Sequence, residues 1–415
     1  MRTRFALITA FSAALLSVSV SAQVRIGNVQ IDVPATNQVL DPVIEDVTRA
    51  TGRIGMGIEK LAQDRLRRID RLVRRNRDVV ERDAAGNPAR RGSLIALGAT
   101  GQEIAAAQQA GYSVSQQEDL TELGLEIVRI ALPSGKSLPE GERELRELMP
   151  NAEISPDNLY FQAGGSSQSA AAARTANPSS NTGRIAVGMI DGAPDQSIAV
   201  EKVRGFSLGA GRASDHGSAV ASLLGSAGVS RIMVADVYGS DPAGGNATAI
   251  ARALAWLVGE EADVITVSLV GPDNSLLARA FSAARQRGVI VVAAVGNDGP
   301  AAPPAFPASY DGVVAVTAVD RQDRALIEAG RALHLDYAAP GADIFGMNRS
   351  GRSVRLRGTS FATPLVAARI AHALAAQANW RQALDREAID LGERGPDETY
   401  GRGLVCRGCG QRQGK

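Results

Sequence analysis

Apolar residues recur at helical spacing over residues 43–82, including Ile54, Ile58, Leu61, Leu66, Ile69, Leu72, Val73, Val79 and Val80. The spacing predicts one long amphipathic helix or a pair. From residue 91 to 161 the pattern changes to short apolar runs alternating with helical stretches. Runs at 94–97 and 125–131, helices at 101–110 and 140–148, and a last run ending at Phe161 predict a small α+β sandwich. Residues 162–183 are rich in Ala, Ser, Asn and Gly, with too little apolar surface to fold, and read as a flexible linker. Beyond residue 184, apolar strands at 185–190, 232–235, 264–269, 289–294 and 313–319 alternate with helices near 216–225, 247–259, 275–286 and 360–375. That alternation predicts an α/β domain, a parallel central sheet with helices on both faces, whose active residues gather beyond the carboxyl ends of the strands.

Composition narrows the class. The 415 residues are 45% apolar and 21% charged, enough for a sizeable core in two or three domains. The formal net charge of +1 gives the molecule no overall electrostatic reason to bind nucleic acid. Basic character is local: Arg65, Arg67, Arg68, Arg71, Arg74, Arg75, Arg77 and Arg82 crowd the second half of the first predicted helix. They read as a solvated face balanced by Asp64, Asp70, Asp78 and Glu81, or as a contact for a membrane surface or a partner helix.

The amino terminus reads as a signal peptide, with Arg2 and Arg4 before an apolar stretch and a small-residue site at Val20-Ser-Ala22. Export, to the periplasm or the medium, is the expectation. It suits Cys406 and Cys409, whose spacing permits a local disulfide and makes an incomplete zinc site. The expected division is 1–22 signal, 23–90 Arg-rich helical segment, 91–161 α+β domain, 162–183 linker, 184–405 α/β domain and 406–415 tail.

Three polar residues stand where a parallel sheet would gather them. Asp191 ends the strand Ile185-Ala-Val-Gly-Met-Ile-Asp-Gly, His216 lies in Ser214-Asp-His-Gly-Ser-Ala-Val-Ala-Ser at a helix start, and Ser360 heads the helix of Arg357-Gly-Thr-Ser-Phe-Ala-Thr-Pro. A serine hydroxyl is a weak nucleophile, so acyl transfer needs an imidazole to take its proton and a carboxylate to orient the ring. A helix start also aims free N–H groups at an oxyanion, and Asn297, in Val291-Val-Ala-Ala-Val-Gly-Asn-Asp-Gly, could supply a side-chain donor. Singly, each residue has a structural reading as a cap or a satisfied polar group.

In this order the motifs resemble the subtilisin family from about Arg184 to Leu404, most specifically in Gly358-Thr-Ser-Phe-Ala-Thr-Pro364 and Ala293-Ala-Val-Gly-Asn297. The resemblance implies a serine endopeptidase without cofactor, acting on polypeptides: Asp191 orients His216, His216 is general base then acid, Ser360 is the nucleophile, and Asn297 shares the oxyanion with the Ser360 amide. It also implies that Ser268, Leu269, Val270 and Gly271 pair with an extended substrate, and that with Ala293, Ala294, Val295 and Gly296 they wall a roomy apolar pocket. Phe306-Pro-Ala-Ser-Tyr, Tyr337-Ala-Ala-Pro-Gly and Tyr400-Gly-Arg-Gly-Leu look like family scaffold turns.

Departures are Ala219 at the usual second histidine of the His motif, Gly192-Ala193 after Asp191, and a short interval between Asp191 and His216. The trimmed loops leave no calcium site assigned. His334 and His372 read as structural. The α+β domain has the element order of a subtilisin propeptide, a chaperone and inhibitor freed by self-cleavage in the linker; the alternative is a permanent adaptor. The competing function is a noncatalytic peptide-binding protein on the same fold.

Overall fold

The computed structural model describes residues 23–26, 29–32, 40–163, 168–169 and 182–410. The expected signal peptide and most of the expected linker lie outside the described residues. The first compact unit, residues 1–57, holds an antiparallel pair, β1 (Gln23–Ile26) and β2 (Val29–Asp32), and the start of the long helix α1 (Leu40–Arg75). The rest of the chain forms a second unit from Ile58.

Helix α1 stops earlier than its apolar spacing predicts. Asn76 turns its amide back on the Leu72 carbonyl, and its own carbonyl takes the N–H groups of Val79 and Val80. Val80–Arg82, expected as helix, is instead strand β3. There follow β4 (Pro88–Leu97), α2 (Gly101–Gln109), β5 (Ser113–Leu120), β6 (Leu125–Ala131), α3 (Leu138–Leu148) and β7 (Glu153–Asn158). The strands form one antiparallel sheet, in which β3, β4, β6 and β5 lie side by side and β7 also pairs with β4. One face carries Leu94, Ala96, Val128 and Ile130 against α2 and α3. The opposite face, with Ile95, Leu97 and Ile127, has no helix of its own and joins the core of the larger domain. We call residues 80–163 the leader.

Two short strands follow, β8 (Phe161–Gln162) and β9 (Gln168–Ser169). Both lie at or beyond the start of the expected linker, and both are paired with the larger domain. That domain runs β10 (Ala186–Asp191), β11 (Lys202–Gly205), α4 (Asp215–Ser226), β12 (Arg231–Asp236), α5 (Ala247–Gly259), β13 (Val264–Val267), β14 (Leu269–Val270), α6 (Ser275–Gln286), β15 (Ile290–Ala294) and β16 (Val314–Val319). It closes with β17 (Tyr337–Pro340), β18 (Ala342–Met347), β19 (Ser353–Arg357), α7 (Thr359–Ala375) and α8 (Trp380–Glu387).

The expected parallel sheet is present, with seven strands in the order β11-β12-β10-β13-β15-β16-β17, every pair parallel. Helices α5 and α6 cover one face and α4 and α7 the other. Its inner strands are buried on both sides, which is why they read as unbroken apolar runs. The chain leaves β10 toward β12 on one side and returns to β13 on the other, so the order reverses at β10. A crevice opens at the carboxyl ends of strands where such a reversal occurs. Tyr337–Pro340, expected as a turn, is the edge strand of this sheet, where a terminal proline costs no ladder bond.

Candidate active site

Asp191 is the last residue of β10 and wholly buried. Its carboxylate accepts from the Gly192 amide at 2.7 Å and from His216 Nδ1 at 2.8 and 3.0 Å. A carboxylate only accepts, so Nδ1 carries the proton in this pair.

His216 reaches Asp191 because the start of α4 is stitched to the chain just after β10. Ser214 caps the helix by accepting from Gly217 N, while Ser214 N donates to Ala193 O at 2.8 Å and Asp195 N to Ser218 Oγ at 2.9 Å. The approach requires glycine: a Cβ on Gly217 would fall 2.0 Å from the Gly192 carbonyl oxygen. Ala219, where a second histidine was expected by resemblance, is buried.

Ser360 is the second residue of α7, so its N–H has no acceptor within the helix. The residue before the helix, Gly358, takes φ 144°, a conformation open to glycine. Pro364 sits four residues after Ser360 and cannot donate to its carbonyl; the buried Ser268 hydroxyl does so instead, at 2.9 Å. The Phe361 ring lies 5.3 Å from the His216 ring. Ser360 Oγ and His216 Nε2 are both shut off from solvent without a hydrogen-bond partner among the described residues. Leaving such atoms unpaired costs roughly 1–3 kcal/mol each, and nucleophile–base contacts are often loose before the reacting complex forms.

Asn297 follows β15, and its amide is oriented by Thr359 N, which donates to Oδ1 at 3.0 Å. Thr359 Oγ1 also joins Gly296 on the same loop, accepting from its N–H at 3.1 Å. Nδ2 therefore faces the space before Ser360. The expected donor pair thus converges on one point, and that point is filled by the carbonyl oxygen of Ala163, which accepts from Ser360 N at 3.2 Å and from Asn297 Nδ2.

Ala163 is the end of an extended segment laid through the crevice. Its N–H donates to Ser268 O at 2.9 Å, and β8 pairs antiparallel with β14, Gln162 opposite Leu269 and Phe161 opposite Val270. On its other side Tyr160 N donates to Gly245 O at 2.8 Å, and Leu159 bridges Asn246. Of the four residues proposed to pair with an extended strand, Ser268, Leu269 and Val270 pair with residues 161–163, whereas Gly271 exchanges its backbone bonds with Phe306. Val295 and Gly296 line a cavity with Val270 and Gly271, whereas Ala293 and Ala294 are committed to the core of β15.

Tyr160 is fully enclosed, donating its hydroxyl to Pro272 O at 2.6 Å and accepting at its carbonyl from Tyr238 Oη at 3.0 Å. Burial holds the Tyr238 phenol well above its ordinary pKa, reinforced by Asp191 and Asp236, so it stays a donor. Gln162 Nε2 donates to Asp191 Oδ1 at 3.1 Å. A second cavity of about 840 Å³ opens beside His216, lined by Gln162, Ala219, Arg349 and Phe361 among others.

Sequence reasoning ended the α+β pattern at Phe161 and did not assign residues 160–163 to the crevice. The signal was the paired aromatics Tyr160-Phe161 followed by small residues. It also missed the inward turn of the Arg-rich helix. Arg65 and Arg68 meet Asp298 at 3.5 and 2.9 Å, and Arg68 stacks over Phe161 at 5.4 Å. Arg67, Arg71, Arg74, Arg75 and Arg77 remain exposed. His334 and His372 bind the carbonyls of Val313 and Ala227, structural roles as expected. Cys406 and Cys409 form a disulfide. Among the described residues no cluster of three or more His, Cys, Asp or Glu could hold a metal ion, and no helix is long and apolar enough to cross a membrane.

A profile of the subtilase family of S8 peptidases matches residues 199–403, beginning after Asp191. The chain is 34% identical to subtilisin DY of Bacillus licheniformis over 39% of its own length and 61% of that protein. It is 33% identical to subtilisin BL of Lederbergia lenta over 44% of its length and 68% of that protein. The match to subtilisin DY thus spans less than two thirds of that relative. Among solved structures, fervidolysin from Fervidobacterium pennivorans, titled a keratinolytic enzyme related to subtilisin, superposes with a TM-score of 0.65 over 81% of this chain and 63% of its own. At 16% identity that likeness speaks for the fold alone.

Proposed function

The chain belongs to the subtilase family, and from that premise we propose that it is an exported serine endopeptidase, made as a self-processing zymogen, that cuts flexible polypeptide through an acyl-enzyme. Ser360 Oγ attacks the carbonyl carbon, His216 Nε2 takes its proton, and Asp191 holds the ring and stabilises the imidazolium. The proton then passes to the leaving amine. Water, activated by the same histidine, releases the acyl group. No organic cofactor or metal enters any step.

The observation that carries this reading is the Ala163 carbonyl held between Ser360 N and Asn297 Nδ2. Donors fixed where negative charge develops act in the transition state without reorganising, usually the largest contribution to acyl transfer. That a strand of the protein's own leader supplies this carbonyl favours a polypeptide substrate and an inhibitory leader. Export is proposed from the amino-terminal pattern of Arg2, Arg4 and the apolar stretch after them. The exposed arginines of α1 leave a membrane-surface role open to vesicle sedimentation at low and high salt.

The test is covalent labelling by a fluorophosphonate probe, read beside hydrolysis of an unfolded protein. Label on Ser360, lost in Ser360→Ala, together with Ser360-dependent hydrolysis, is the expected result. A folded chain that takes no label after its leader has been removed by limited proteolysis would instead be a noncatalytic peptide binder.

A further inference from the structure

We propose that Asp191 takes a hydrogen bond from the substrate itself. The side-chain amide of a glutamine at the place Gln162 now holds, next before the residue whose carbonyl is attacked, fixes the carboxylate that orients His216. Glutamine there is a specificity determinant that acts as a positioning group, and the inference rests on the peptidase reading.

Asp191 is wholly buried, and a buried carboxylate that stays charged has to be met by donors. Among the described residues Gly192 N donates to Oδ1 at 2.7 Å, His216 Nδ1 lies 3.0 and 2.8 Å from Oδ1 and Oδ2, and Gln162 Nε2 donates to Oδ1 at 3.1 Å. Within the described α/β domain, His216 therefore supplies the one side-chain bond to this carboxylate. The other side-chain donor comes from the leader.

Gly192, one of the departures from the family pattern, brings no side chain to the carboxylate. Packing keeps it so: a Cβ there would fall 2.5 Å from the hydroxyl of Ser214, the residue that caps α4. The same Cβ would lie 3.7 Å from Gln162 Nε2, so the amide stands beside the place where a side chain at residue 192 would begin. A donor missing from the domain is thus supplied by the strand in the crevice.

Any polypeptide laid in the same register can supply it. Gln162 pairs with Leu269, and the next carbonyl along, that of Ala163, is held by Ser360 N and Asn297 Nδ2. The Gln162 side chain lines the cavity of about 840 Å³ beside His216, so it reaches Asp191 through open space. Length and charge then select. Asparagine is shorter by one carbon–carbon bond, about 1.5 Å, which puts its amide beyond hydrogen-bonding distance. Methionine has the length without a donor. Glutamate has the length but sets a second negative charge against a buried one.

The amide gives up no proton in the reaction. It holds Oδ1 while Oδ2 keeps the shorter contact with His216, so its effect falls on the turnover of bound substrate, in kcat. A pocket that merely held glutamine would show itself in KM.

The test varies the peptide, so no folding defect can mimic the result. The full-length preparation is incubated until it hydrolyses an unfolded protein, with its leader removed by limited proteolysis should it stay in place. It is then given acetyl-Tyr-Phe-Gln-Ala-p-nitroanilide and the same peptide with Met, Asn or Glu in place of Gln. The Met and Asn peptides are expected to lose roughly tenfold in kcat, the size of one hydrogen bond to a charged group, with KM within about twofold. The Glu peptide is expected to lose more than either.

Equal kcat for the Gln and Met peptides, or a loss confined to KM, overturns the proposal. So does an Asn peptide as fast as the Gln peptide, whose amide would then meet a nearer acceptor, and so does a preparation that digests unfolded protein but leaves the Gln peptide whole. Each of these leaves the peptidase reading intact. A preparation that hydrolyses neither protein nor peptide, and takes no fluorophosphonate label after leader removal, overturns both.

Discussion

The leader grips the catalytic domain in two places that differ in kind. Its broad sheet face lies on α5 and α6 and holds them largely through side chains. The wholly buried Asp157 accepts from Thr248 N and Oγ1 at the head of α5 and meets Arg129 at 3.0 Å; Glu118 holds Arg252, and Asn274 Nδ2 donates to Asn158 Oδ1 at 3.0 Å. The narrow strand at residues 159–163 is held mostly by main-chain bonds, with Tyr160 as its buried anchor. The difference separates two requirements. A cleft that grips backbone can take many sequences, as a peptidase must, while a face that reads paired charges and amides takes this leader. Under the proposed zymogen reading, any inhibition that outlasts a cut has to come from the face, since every substrate would compete for the strand's place.

This contrast can be broken at graded strength. Ser360→Ala should abolish the self-cut, lowering turnover by about 10⁶, the size such a loss has in a subtilisin, while leaving both grips intact and the full-length chain whole by mass. Asn297→Leu removes one donor of the strand's end point and should lower kcat on a peptide anilide by about 10²–10³, again the magnitude measured for that loss in a subtilisin, with KM little changed.

Asp157→Ala attacks only the broad face. It takes the carboxylate from Arg129 and the acceptor from Thr248 N at the head of α5, a buried-pair loss of about 3 kcal/mol, so the lag between self-cleavage and digestion of added substrate should shorten by roughly a hundredfold. Asp157→Asn, which keeps an acceptor for Thr248, should shorten it less. Asp298→Ala frees Arg65 and Arg68 of α1, partly exposed partners, and should hasten leader release only a few-fold, by about 1 kcal/mol or less. Arg279→Ala breaks a solvent-exposed pair with Glu153, and its lag is expected to match wild type within about twofold.

Much of the larger domain was legible in the sequence because its signals are local. Buried parallel strands are continuous apolar runs, and α5 and α6 begin where Asn246 and Asn274 cap them, so their limits coincide with expectation. The residues proposed for acyl transfer were legible for a chemical reason: Asp191 ends a strand, His216 and Ser360 stand in the first turn of a helix, and Asn297 lies in the turn just after β15. Asp191 and His216 lie within hydrogen-bond distance of each other, and the Ser360 amide and Asn297 Nδ2 share one acceptor, the Ala163 carbonyl.

What escaped notice depends on packing across long separations. Ser113–Leu120 is largely polar and exposed, an edge strand with no alternation to betray it. Val80–Arg82 continues the apolar spacing of α1, and only the side chain of Asn76 shows where helix gives way to strand. The occupancy of the crevice by residues 160–163 could not be read from composition, because Ala163 acquires its meaning from Asn297 and Ser360, far along the chain. The charges of α1 told the same story: their spacing could not say that Arg65 and Arg68 face Asp298.

The proline that interrupts α7 gives Ser268 an unusual position. Its carbonyl oxygen receives the N–H of Ala163, and its hydroxyl supports the carbonyl of Ser360. In the proposed reaction, bound strand and nucleophile are therefore both positioned from one datum, a single residue directly after the sheet strand β13. A displacement of Ser268 would carry the Ala163 amide and the Ser360 carbonyl with it, through the two hydrogen bonds that join them to it. For the proposed peptidase, tolerance of varied substrates and a fixed backbone register would then coexist in the same crevice, because variation would fall on side-chain pockets that do not share this reference point.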